Sequence, residues 1–104
     1  MTVAEWLRAR TPDAPRRLTE RIDGALGARR GLDSVDVGTH CVDAAESLLH
    51  ELMSQSSAGR EAALDLLAVD ALVTYAFEAW SQEPAAIPGR AAVVMTRLAA
   101  TVRA

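Results

Sequence analysis

Leu18, Ile22 and Leu26 stand four residues apart along this chain. Further on, Val35, Val37, Cys41, Val42, Ala45, Leu48, Leu49, Leu52 and Met53 gather on one half of a helical wheel. His40, Asp43, Glu46, Ser47, His50 and Glu51 occupy the other half. Apolar positions that recur every three to four residues mark helices with one sheltered and one wet face. Leu66, Val69, Leu72, Val73, Ala76, Phe77 and Trp80 then form a broad arc, with Leu64, Ala68, Ala71 and Tyr75 outside it. A helix that is apolar over so much of its circumference is expected to touch neighbours on two sides and to form the centre of the domain. In the last segment the same spacing turns Ala91, Val94, Met95, Leu98, Ala99 and Val102 inward and leaves Arg90, Arg97, Thr101 and Arg103 outside. No segment sustains a period-two alternation of β-branched residues, and no self-similar repeat is visible, so strands and solenoids are disfavoured.

Local punctuation sets the ends of these helices. Thr2-Val3-Ala4-Glu5 has the spacing of a capping box, which predicts a short first helix at about 3–10. Thr11-Pro12-Asp13-Ala14-Pro15 ends it, and Pro15 suits the first turn of a second helix at about 15–29, with Gly27 and Gly31 as terminators. Asp33 or Ser34 can cap a third helix at about 34–54, within which Gly38 invites a kink or a restart at Thr39. A tight connection at 54–57, with Ser57 as cap, folds a fourth helix at about 58–82 back antiparallel to the third. Glu83-Pro84 to Pro88-Gly89 is the next break, and a final helix is expected at about 88–103. The predicted fold is all-α: a compact antiparallel bundle of four main helices plus the short N-terminal one, in a single domain spanning 1–104.

Composition supports this reading. The 104 residues suit one core, half of them are apolar, and aromatics are confined to Trp6, Tyr75, Phe77 and Trp80. The interior must therefore be built from aliphatic residues and many alanines, which favour helix over sheet. All basic residues are Arg and none is Lys, a bias of the kind GC-rich genomes produce. The lone Cys41 leaves no disulfide or cysteine-pair zinc site, and the N-terminus lacks the apolar run of a secretory signal, so a cytoplasmic protein is expected. The most apolar stretch, 62–79, is interrupted by Asp65, Asp70, Thr74 and Glu78, which argues against membrane insertion.

A net charge of −3 conceals an uneven distribution: residues 1–30 carry net +3, residues 31–83 net −9, and residues 84–104 net +3. Basic ends packed beside an acidic central hairpin explain this without a ligand. A nucleic-acid patch built from Arg16, Arg17, Arg21, Arg29 and Arg30 would need interleaved aromatics or a known module, and neither is present.

Candidate chemistry is sparse. Asp43, Glu46 and His50 are spaced three and four apart and could converge on a metal, but they lie opposite the apolar arc and lack the Glu-x-x-His spacing of inward-facing bundle sites, so a solvated face is favoured. Asp70, Thr74 and Glu78 form an i, i+4, i+8 row inside the least polar stretch, with Tyr75 beside it. This row is either the exposed side of a central helix or a surface for a ligand or partner. Cys41 falls in the apolar arc and reads as a buried, inert thiol. Trp80 should be buried, and Trp6 should staple the first helix onto the bundle. No cofactor is implied. The expected function is a non-enzymatic helical-bundle interaction module for a protein partner or a second copy of itself. The alternative is a small metal- or ligand-binding bundle that uses the third-helix His/carboxylate face or the fourth-helix acidic row.

Overall fold

The computed structural model describes residues 1–55 and 59–103. It is all-α: α1 (Val3–Arg10), α2 (Arg16–Leu26), α3 (Val37–Ser54), α4 (Arg60–Trp80) and α5 (Ile87–Arg103) are joined by 3-10 turns at Gly27–Gly31, Ser34–Asp36 and Pro84–Ala86. No strand forms among the described residues, and no described helix is long and apolar enough to cross a membrane. Of the connection expected at 54–57, Ser54 and Gln55 are described, and the cap at Ser57 lies outside the described residues.

The capping box closes at the N-terminus of α1. The Glu5 amide donates to the Thr2 hydroxyl at 3.2 Å, and the Thr2 amide donates to the Glu5 carboxylate at 3.1 Å. These bonds hold the Glu5 carboxyl below its ordinary value, the backbone bond from Thr2 contributing most. A single antiparallel bridge then ties the chain start to the segment before α3: Val3 N–H donates to Leu32 O and Ser34 N–H to Met1 O, both at 2.9 Å.

α2 is shorter than its spacing suggests because Gly27 takes a φ of +54°, a left-handed value that ends the helix; the next five residues tighten into a 3-10 turn. Asp33 does cap, accepting from the Val35 amide at 2.8 Å, but it caps a 3-10 turn, and α3 proper begins at Val37. α3 runs through Gly38 without a restart at Thr39.

The centre of the domain is α3 rather than α4. α3 packs against α2, α4 and α5, and it buries Val37, Gly38, Cys41, Val42, Ala44, Ala45, Leu48 and Leu49. Alanines make this possible: with Ala44, Ala45, Ala68 and Ala76 at the contacts, backbones can approach closely. Trp80 at the end of α4 lies against Gly38 at the start of α3, and Arg21 of α2 reaches both Glu51 near the end of α3 and Asp65 near the start of α4. The hairpin is thus antiparallel, as expected. α5 runs beside α3 and meets the end of α4 through Arg90, which lies over the Trp80 ring.

Two faces are rotated from their predicted positions. On α4 the buried residues are Asp65, Ala68, Val69, Leu72 and Ala76, while Leu66 is exposed. On α5 only Val94 is buried; Met95 and Val102 are exposed and Arg97 is half-buried. In the 3-10 turn before α3, Val35 is exposed, and Met53 at the end of α3 is half-exposed. Trp6 and Trp80 pack on the rim of the core, whereas Val3 and Leu7 are the residues of α1 that enter it.

Cys41 is fully buried, and burial pushes its thiol up to about 12 from an ordinary value of 9.0. The unfolded chain therefore releases this proton first. Stability is undiminished below about pH 9 and falls as pH rises from there towards 12, by on the order of 1 kcal/mol at pH 10. Urea midpoints measured at pH 7 and pH 10 should show this loss, and Cys41→Ala should remove most of it. The remainder belongs to Tyr75, whose phenol is also pushed up, mainly by burial and then by Glu78.

Candidate functional site

Asp43 and Glu46, expected on a wet face, sit instead beneath two arginines. Arg97 of α5 donates from Nη2 to Asp43 at 2.7 Å and from Nε to Glu46 at 2.5 Å. Arg29, in the turn after α2, donates to the other Asp43 oxygen at 3.2 Å and lies 3.3 Å from His40 Nδ1. These carboxylates, Asp43 first, hold the Arg97 guanidinium above its ordinary value. The group therefore clamps α5 and the 27–31 turn onto α3. His50, a turn further along, is exposed and bonds to neither carboxylate through its ring. Among the described residues no cluster of three or more His, Cys, Asp or Glu is arranged to hold a metal.

Asp65 was legible only as a polar interruption of an apolar run, yet it is the buried acid of the domain. Its Oδ1 accepts from Arg21 Nε at 2.5 Å, and Arg21 also lies 3.6 Å from Glu51. The bond to Asp65 is the main cause that raises the Arg21 guanidinium. With Arg10 lying 3.7 Å from Glu78, every link so far joins a basic end segment to the acidic hairpin within one chain. Arg21 and Arg29, two of the five arginines considered for a nucleic-acid patch, are held in these ion pairs.

The row Asp70, Thr74, Glu78 runs along the outside of α4, where Thr74 donates its hydroxyl proton to the Asp70 carbonyl at 2.9 Å. Tyr75 parts from the row. It is half-buried and forms part of the floor of a cleft of about 330 Å³ between α1 and α2, whose wall carries Arg8, Arg16 and Arg30. Sequence spacing could not have joined these residues, because they come from four separate elements.

A second cleft of about 420 Å³ opens where α1, the start of α3 and the end of α4 meet. Two arginines cover two indoles there: Arg10 lies 3.8 Å from the Trp6 ring centre and Arg90 lies 4.7 Å from that of Trp80. Phe77 meets Trp80 edge-on, at 5.3 Å between ring centres. Asp36 and Glu83 also line this cleft, so its charge is balanced.

The remaining surface feature is a set of exposed apolar residues on α5: Met95 (71 % exposed) and Val102 (50 %) share one flank, and Val93 (57 %) stands on the other, about 160° round the helix from Met95. Between Arg90 and Arg103 the helix carries one charge, Arg97, and that side chain is held inward by Asp43 and Glu46. Comparison with protein-family models, curated proteins and solved structures finds no match.

Proposed function

We propose that this chain is a non-enzymatic helical-bundle interaction module whose partner is a second copy of itself, paired through the outer face of α5. The observation that carries this reading is the burial of a single α5 residue, Val94, in a helix of 17 residues. A helix that length spans about 25 Å and ordinarily shelters a continuous stripe. Here Met95 and Val102 are turned to the side, with Leu98 packed partly against the core, and Arg97 anchors the helix to α3.

Surface area supports the same reading. A folded monomer of this mass exposes about 5,700 Å², whereas this chain exposes 6345 Å². The excess approaches the roughly 800 Å² that each partner contributes to a standard interface. The exposed face of α5 carries no charge before Arg103 at its C-terminal end, which suits a like-with-like contact: two copies crossing near Met95 about a two-fold axis bring no equal charges together there, and the exposed Ala92 and Ala100 allow close approach of the helices.

Sedimentation equilibrium at roughly 100 µM should give twice the chain mass of 11.1 kDa. Met95→Glu should weaken the association at least about tenfold while leaving helical circular dichroism unchanged, since a carboxylate would be desolvated at the contact. A monomer at that concentration, or a dimer indifferent to Met95→Glu, overturns the proposal.

A further inference from the structure

From the cleft around Tyr75 we infer that this protein binds a small organic anion, an oxyanion group on a compact apolar body, in a site that is separate from the α5 face. A volume of about 330 Å³ falls within the range of small-molecule sites. Its lining is unbalanced in charge: Arg8, Arg16 and Arg30 face one carboxylate, Asp23. This is the reverse of the chain as a whole, which is net negative.

Three donors there lack full satisfaction. The Arg30 Nε is buried and makes no hydrogen bond; Asp23 lies 3.4 Å away, within ion-pair reach but outside bonding geometry. The Tyr75 hydroxyl makes no hydrogen bond to any described residue, although the side chain is half-buried. Arg8 is exposed and forms no close ion pair with a described residue, Glu5 acting on it only at longer range. Arg16, by contrast, is bonded to Glu20 at 2.8 Å and remains at the rim.

The half-exposed Arg30 guanidinium, whose Nε is shielded and held only by the ion pair with Asp23, the Tyr75 phenol and the unpaired Arg8 guanidinium line one cleft and are complementary to an oxyanion, because each gains most from a charged acceptor. α2 also starts at this cleft with no side-chain cap and no acid in its first turn, so its open amides add to the favourable potential. The buried Leu7 and Ile22 with the Tyr75 ring provide an apolar floor for the rest of the molecule.

Tyr75 is the only tyrosine of the chain, so its ring resonances report on the cleft without assignment of the rest of the spectrum. Phenyl phosphate and benzoate are the probes, with benzyl alcohol as the uncharged control. Either anion should shift the Tyr75 ring signals saturably with a dissociation constant of about 1 mM or tighter, and comparison of the two tells phosphate from carboxylate preference. Benzyl alcohol should produce no such shift. Arg8→Gln, an exposed change that leaves the core intact, and Arg30→Gln should each weaken binding about tenfold. Absence of a shift with both anions in the folded wild-type protein overturns the inference, as does binding that neither arginine substitution affects.

Discussion

Leu72→Ala is expected to lower the unfolding free energy by about 3 to 4 kcal/mol, enough to move the thermal midpoint down by roughly 15 °C. Leu72 has no solvent exposure and is among the largest fully buried side chains. It stands on α4, which packs against both α3 and α2, so a void there is felt on two sides. The neighbours are already small: Ala68 and Ala76, one turn before and after it, have nothing to move into the gap. A domain of this size has about 5 to 15 kcal/mol in total, so the loss is a large share of its stability. Urea or thermal melts followed by circular dichroism measure it directly. A shift under about 1 kcal/mol would mean that α4 does not seat Leu72 in the core.

Gly38→Ala should destabilise by about 2 kcal/mol, although the same exchange in an open helix would stabilise by up to about 1 kcal/mol. A Cβ at Gly38 would overlap the Trp80 Nε1 and stand 2.6 Å from Cε2. Arg90 over its ring and Phe77 against its edge restrict the indole's retreat to the side of the cleft beside α1, where it would give up these contacts. Trp80→Leu supplies the decisive comparison. Once the indole is gone, Gly38→Ala should become neutral or favourable, and the double-mutant cycle should return a coupling of at least about 2 kcal/mol. Tryptophan fluorescence and denaturant midpoints on the four variants give the answer. Additive effects would show that the glycine is there for some reason other than the indole.

Gly38 illustrates how a sequence can be legible in kind and misleading in detail. Within a helical pattern a glycine signals weakness, and a kink or restart was the natural expectation. The residue that requires it, Trp80, is 42 positions away in the sequence. The Arg97 cluster teaches a similar lesson. Helical spacing places Asp43 and Glu46 on the half of α3 opposite the aliphatic arc, but a polar residue need not meet water. Two guanidiniums cover Asp43 and Glu46, whereas Ser47, His50 and Glu51 on the same half remain exposed; with these ion pairs Arg97 turns inward while Met95 and Val102 turn out. An Arg with a long aliphatic stem can occupy a position that periodicity reserves for an apolar residue.

The candidate site shows the same division. In the sequence Tyr75 is conspicuous because a phenol in an apolar stretch wants an acceptor, and helical spacing sets it beside Asp70, Thr74 and Glu78. Those three lie along the outside of α4, while Tyr75 faces arginines from α1, α2 and the turn after α2. Asp65 gave no signal beyond its charge, since nothing local distinguishes an acid that will meet Arg21 from one that will meet solvent.

What the chain alone determined is the set of helices and most of their ends. Those depend on interactions within about four residues: the Thr2 and Glu5 capping box, the proline breaks at 12–15 and 84–88, and the three-to-four spacing of aliphatic residues. Tertiary structure decided which helix is central, which face of α5 is left uncovered, and which arginine meets which acid. Charges and indoles find partners through space, at separations of tens of residues, and a one-dimensional pattern holds no record of such distances.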